Sequence, residues 1–158
     1  MHDEADNLAP LLEEIHAALT DETTFEVIVV DDASTDETPR RLAALSVRFP
    51  RLRALRHCTN AGQSTAIATA VRAATAPLVI TLDGDGQNDP ADIPAFLKRW
   101  TRECTGRQPL LLVGWRTDRR DTWLRRLSSR IANGVRGRLL SDRTPDTGCG
   151  LKLFERST

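Results

Sequence analysis

Asp83-Gly84-Asp85-Gly86-Gln87-Asn88-Asp89-Pro90 follows directly on the apolar run Leu78-Val79-Ile80-Thr81-Leu82. Two carboxylates at i and i+2 leave the end of a buried strand, and Gly84 and Gly86 let the backbone approach a ligand closely. That pattern suits a hard divalent cation. Mg²⁺ and Mn²⁺ prefer oxygen ligands, and Mg²⁺ commonly takes one or two carboxylates plus substrate phosphate oxygens. Solvated turns also contain Asp-x-Asp pairs, so the position and company of this one decide its meaning. Asp31-Asp32 ends an earlier apolar run, Asn60-Ala61-Gly62 follows a second, and Arg116 follows Leu110 to Trp115.

The elements that must position these residues are legible in the pattern. Residues 6–19 read as a helix with Leu8, Leu11, Leu12, Ile15 and Leu19 on one face. Phe25 to Val30 reads as a strand buried on both faces. Ser34 and Glu37 fit a capping box ahead of Pro39 and a helix to about Phe49. Leu52 to His57 is a weaker strand, and Asn60-Ala61-Gly62 opens a small-residue helix to about Ala74. Leu78 to Leu82 is a strand, Pro90 or Asp92 starts a helix through Trp100, and Leu110 to Trp115 is another strand. Thr122 to Leu140 reads as a helix and Cys149 to Phe154 as a last strand. Alternating strands and helices predict one α/β domain with a mostly parallel sheet. Ligands of such sheets bind beyond the carboxyl ends of the strands, where all four polar clusters fall.

Composition sets bounds. The chain has 158 residues, enough for one domain with a sizeable core. No apolar run has bilayer-spanning length, and the acidic start is unlike a secretory signal. Cys58, Cys104 and Cys149 are odd in number and far apart, which disfavours a disulfide framework or a zinc site and suits a reducing compartment. Net charge is zero but lopsided: residues 1–37 carry twelve acids and no Lys or Arg, whereas residues 116–143 carry nine Arg. A basic block of that kind meets phosphates, or forms the solvated face of a helix. The helix 122–140 pairs an apolar stripe with Arg125, Arg126, Arg130, Arg136 and Arg138, so it packs on the sheet, lies on an anionic membrane, or does both.

The ordered motifs Val29-Val30-Asp31-Asp32-Ala33-Ser34-Thr35-Asp36, Asn60-Ala61-Gly62 and Leu82 to Pro90 resemble family 2 glycosyltransferases of the GT-A (Rossmann-like) fold. Gly114-Trp115-Arg116, Ser129 to Asn133 and Asp146 to Phe154 are similar to the branch of dolichol-phosphate mannose synthases and bacterial polyprenyl-phosphate sugar transferases. The resemblance implies inverting transfer of a sugar from a UDP- or GDP-sugar to a polyprenyl phosphate, assisted by Mg²⁺ or Mn²⁺. It places this at the cytoplasmic face of a membrane, with no nucleic-acid partner. It assigns Glu4, Asp31, Asp32, Asn60, Gly62 and Asp83 to the nucleotide, with Asp32 pairing with the base and Glu4 near the ribose. It makes Asp83, Asp85 and Gln87 the metal ligands. It gives Arg116, Arg125, Ser129 and Arg130 to the acceptor phosphate, and makes Asp85, Asp146 and Arg116 catalytic.

The chemistry is consistent with these residue types. A phosphate monoester has a second pKa of about 6 and is largely ionised at neutral pH, so the nucleophile needs positioning more than a base. None of His2, His16 and His57 stands in an obvious base setting. The resemblance also implies a buried strand ahead of Met1-His2-Asp3-Glu4 and a closing helix beyond Thr158. On that reading the chain is truncated or has a misplaced start, a gap lies beside the metal-motif strand, and the chain as written is poorly stable and weakly active. Gly86 stands where relatives often have Leu, loosening the loop. Competing readings are a family 2 transferase with a soluble or glycan hydroxyl acceptor, an inactive nucleotide-sugar-binding remnant, and a receiver-type signalling domain. The last would want one phosphoacceptor Asp and a late Lys, where this chain has Asp83, Asp85 and Arg116.

Overall fold

A computed structural model of the chain describes residues 1–19, 24–103, 111–114 and 149–156. Helix α1 (Leu8–Ala18) buries Leu8, Leu11, Leu12 and Ile15, the stripe expected from their spacing. Strand β1 (Val27–Asp31) pairs in parallel with β2 (Leu52–Arg56), and helix α2 (Thr38–Arg48) makes the crossover. Helix α3 (Gln63–Ala73) packs on β1. Strand β3 (Leu78–Thr81) leads into the acidic loop, and a 3-10 turn at Pro90–Asp92 runs into α4 (Ile93–Glu103). The remaining described strands are β4 (Leu112–Val113) and β5 (Lys152–Glu155).

The α/β architecture is as expected, with one difference in strand direction. β5 lies between β3 and β4 and runs antiparallel to both, so β3 and β4 run the same way. A short apolar run carries no direction of its own. The direction comes from its neighbours, and the completely buried Leu153 fixes the strand among Trp100, Leu112, Leu78, Ile80 and Phe96. A separate core of Leu8, Leu12, Leu42, Phe49 and Leu52 lies against β1 and β2. Contact between α1 and the Pro90–Asp92 turn ties the two halves together.

Two expectations about local structure do not hold. The Ser34–Glu37 capping box does not form: the N-cap of α2 is Glu37, without a side-chain cap bond. Asp36 Oδ1 accepts the Thr38 N–H instead, at 2.9 Å, while Ser34 Oγ accepts the distant Asp3 N–H. Nor are β1 and β3 fully buried, since Val27, Ile28 and Val29 and all of β3 are only half-buried. The register explains this. Val27 and Asp31 bond toward β2, so Ile28, Val30 and Asp32 turn their backbone groups the other way. On that side the Met1 ammonium donates to Val30 O at 2.8 Å and the Asp32 N–H donates to Met1 O at 2.8 Å. Among the described residues no strand pairs with both β1 and β3.

Glu26 anchors the chain entering β1. Its carboxylate accepts from Thr75 Oγ1 and the Thr75 N–H, each at 2.6 Å, from the Ala76 N–H at 3.1 Å and from Arg53 at 2.8 Å. The Thr75 hydroxyl leads these donors in pulling its pKa from 4.5 to about 2 against the cost of burial. A depressed carboxyl stabilises fully above the unfolded pKa and loses that stabilisation as pH falls through the folded one. Glu26→Gln is therefore expected to lower unfolding free energy at pH 7 by about 1–2 kcal/mol. In urea titrations the deficit should narrow steadily as pH drops from 5 toward 3. A second test concerns Ala33, which holds φ 58 in the turn that presents Asp31 and Asp32. That region is costly for a residue with a Cβ. Ala33→Gly should raise the denaturation midpoint, with a gain of roughly 0.5–1 kcal/mol.

Candidate active site

The carboxyl ends of β1 and β2 are paired by the ladder as far as the His57 N–H donating to Asp31 O, and side chains rather than sheet bonds extend the rim toward β3; Asp32 makes most of these side-chain joints. Its Oδ1 accepts the Ala61 N–H at 2.9 Å and the His57 Nδ1–H at 2.7 Å, and its Oδ2 accepts the Gly62 N–H at 2.8 Å. The carboxylate requires the proton on Nδ1, so the neutral ring accepts at Nε2 from Thr69 Oγ1, at 2.9 Å. The Ala61 N–H is the largest influence, followed by His57, and together they hold the Asp32 carboxyl down at about 2. Gly62 takes φ 85, outside ordinary side-chain territory, to begin α3 with its N–H turned to Asp32.

Asp31 is oriented differently. Its Oδ1 accepts the Ser34 N–H at 2.9 Å, and Arg56 Nε lies 3.2 Å from Oδ2. Oδ2 is buried without a hydrogen-bond partner among the described residues. A buried acceptor in that condition is the natural place for a ligand donor. Arg56 also donates to Ser34 O at 3.2 Å, fixing the turn from the β2 side.

Residues 1–4 close over this turn. His2 Nδ1 bonds Asp32 O at 2.9 Å, and Asp3 Oδ1 accepts the Thr35 N–H at 2.8 Å. The Glu4 N–H donates to Thr38 Oγ1 at 3.0 Å, and Glu4 Oε2 accepts from Asn7 Nδ2 at 2.5 Å. Met1 reaches across to the acidic loop: a Cβ built on Gly84 would fall 2.5 Å from Met1 Cε. A side chain at 84 would displace the flexible tip of Met1.

The acidic loop is held from three sides. Asp83 Oδ1 accepts Gln63 Nε2 at 2.9 Å, and the Asp83 N–H donates to Asn88 Oδ1 at 3.1 Å. Buried Asn88 also donates to Cys149 Sγ at 3.5 Å. Asp85 Oδ1 accepts the Gln87 N–H at 3.0 Å, so Asp85 forms its own small turn. Two carboxylates and an amide oxygen on one loop form a hard, oxygen-only donor set that fits Mg²⁺ or Mn²⁺. Among the described residues no three His, Cys, Asp or Glu side chains form a metal cluster, so phosphate oxygens would have to complete the shell.

The structure therefore brings Asp31, Asp32, Gly62 and Asp83 onto one rim, with Glu4 bonded to the start of α2. Asn60 is exposed at the same edge. Arg116, Arg125, Ser129, Arg130 and Asp146, and the helix 122–140, lie outside the described residues. His57, Gln63, Asn88 and Arg56 support the site and were not singled out from sequence for that role. His57 ends the strand next to Asp31-Asp32, Gln63 follows Gly62 directly, and Asn88 lies within the acidic motif; each position was a usable signal.

Comparison with known proteins accords with this geometry. Residues 1–157 match Glycosyl transferase family 2. The chain is 36% identical to the dodecaprenyl-phosphate galacturonate synthase of Rhizobium johnstonii, over 98% of this chain and 45% of that protein. It is 34% identical to the undecaprenyl-phosphate 4-deoxy-4-formamido-L-arabinose transferase of Edwardsiella ictaluri, over 99% and 47%. The chain thus spans about half the length of the curated relatives it matches. Among solved structures it superposes on the mannosyltransferase PcManGT of Pyrobaculum calidifontis in complex with GDP-Man and Mn²⁺, with TM-score 0.68 and 24% identity over 99% of this chain and 43% of that one. It also superposes on the glucosyl-3-phosphoglycerate synthase of Mycobacterium tuberculosis, with TM-score 0.73 and 19% identity over 99% and 56%. With its acidic loops converging at the strand ends and the family match running nearly end to end, the chain belongs to glycosyl transferase family 2.

Proposed function

We propose that this chain supplies the donor- and metal-binding part of an inverting glycosyltransferase that moves a sugar from a nucleoside-diphosphate sugar to a polyprenyl phosphate. The observation that carries the reading is the direct bonding of Asp32 to the Ala61–Gly62 loop and of Gln63 to Asp83, which places both acidic motifs around the start of α3. Relatives named for polyprenyl-phosphate substrates support the acceptor class, and the neighbour holding GDP-Man and Mn²⁺ supports the donor and metal classes.

In this reading the buried Asp31–Asp32 turn receives the base, and Glu4 lies on the ribose side. Asp83, Asp85 and Gln87 would hold Mg²⁺ or Mn²⁺. Bound there, the cation would neutralise charge developing on the departing diphosphate. Arg116, Arg125, Ser129 and Arg130 would grip the acceptor phosphate, because a guanidinium fork engages two oxygens at once. Asp146 would face the same space. In this reading the reaction takes place at the cytoplasmic membrane surface, to which the basic segment 116–143 would be drawn. No described helix is long and apolar enough to cross a membrane.

The test is transfer from a panel of nucleotide sugars to a polyprenyl phosphate, with and without Mn²⁺. Asp85→Ala should lower kcat/KM at least ~100-fold and abolish the metal dependence; undiminished turnover would refute the metal assignment. Asp32 gives a second expectation. Because its pKa is depressed, its grip on residues 61 and 62 is complete above pH 3.8 and is lost as pH falls through about 2. Asp32→Asn at pH 7 should speed amide exchange at Ala61 and Gly62 about tenfold or more. It should also raise the donor KM more than it lowers kcat.

A further inference from the structure

We propose that Gly150 is a positioning residue for the acidic loop: the missing side chain at 150 forms the seat in which the Asp83 carboxylate lies. The inference rests on the reading of Asp83 and Asp85 as cation ligands. A Cβ built on Gly150 falls 2.2 Å from Asp83 Cγ, 2.2 Å from Oδ2 and 2.6 Å from Oδ1. Non-bonded carbon contacts sit at about 3.5–4.0 Å, so any side chain here displaces the carboxylate. Asp83 has one short linkage to move about, and a change of χ1 swings both oxygens together.

Backbone drift offers little escape, because both partners are tied. Thr81 Oγ1 donates to Gly150 O at 2.6 Å, bridging the end of β3 to the approach to β5. The Asp83 N–H is held by Asn88, which in turn donates to Cys149 next to Gly150. Gln63 closes the seat from α3 through its bond to Oδ1. The requirement for glycine is one of space and not of conformation: among the described residues the positive-φ glycines are Gly62 and Gly86, and Gly150 is not one of them. The segment entering β5 therefore sets the direction in which Asp83 presents its oxygens.

Nearby Gly114 supplies the control. A Cβ there would crowd Cys149 Sγ at 3.0 Å, Leu151 Cβ at 3.2 Å and Leu151 O at 3.3 Å, the same segment entering β5 but not Asp83. The experiment measures Mn²⁺ affinity of the full chain by calorimetry and by the electron paramagnetic resonance of free Mn²⁺. Nucleoside diphosphate is present and no turnover is read. Thermal stability is followed in parallel. Gly150→Ala should weaken Mn²⁺ binding about tenfold or more, while Gly114→Ala lowers stability and leaves the affinity within about twofold. In an Asp83→Ala background, Gly150→Ala should cost no further affinity, and the double variant should regain stability that Gly150→Ala alone has lost.

Wild-type affinity in a folded Gly150→Ala protein, alongside a weakened Asp83→Ala, would overturn the proposal and leave the metal assignment standing. Unchanged Mn²⁺ binding in Asp83→Ala would overturn both. Should Gly150→Ala fail to fold, the double variant decides: recovery of folding supports the seat, and its absence refutes it.

Discussion

The arrangement depends on one ionised carboxylate, Asp32, holding the His57 imidazole at the end of the β1–β2 ladder and two N–H groups beyond it, at Ala61 and Gly62. Loops beyond the carboxyl ends of parallel strands are not paired to one another by the ladder, and their backbone N–H groups need partners. Asp32 satisfies two of them, at Ala61 and Gly62, and orients His57 as well. That charge fixes the start of α3 against the end of β1, in addition to the packing of α3 on β1. Gln63 follows directly in the chain and carries the same constraint onward to Asp83.

Charge explains why such a site sits at a rim open to ligand. Several carboxylates in one small region repel unless donors or cations compensate them. Each here is compensated differently: Asp31 by Arg56, Asp32 by amides and an imidazole N–H, Asp83 by the Gln63 amide. Asp85 lies at the exposed end of the series, with one oxygen in a local turn. A diphosphate would add negative charge to this rim, which is the physical reason a divalent cation fits between loop and ligand.

Much of this was legible in the sequence where the signal is local. The stripe Leu8, Leu11, Leu12, Ile15 announces α1, and the β-branched runs announce β1 and β3. The acidic pairs stand out because each closes an apolar run. What was not legible depends on partners far away in the chain. Ser34 looked like a helix cap but accepts from Asp3, 31 residues earlier. His57 looked incidental, yet bonds a carboxylate 25 residues earlier. The seat at Gly150 joins residues more than sixty positions apart, and a lone glycine announces no neighbour. The direction of β5 and the half-burial of β1 and β3 are set by which strands lie alongside, a property of the assembled sheet.

The most direct measurement is a crystal structure of the full chain with Mn²⁺ and a nucleoside-diphosphate sugar, with the metal located by its anomalous scattering. The account predicts one Mn²⁺ in contact with carboxylate oxygen of Asp83 or Asp85 and with the donor diphosphate, and the base seated at the Asp31–Asp32 turn. A donor bound at this rim without metal, or Mn²⁺ held away from both carboxylates, would contradict it.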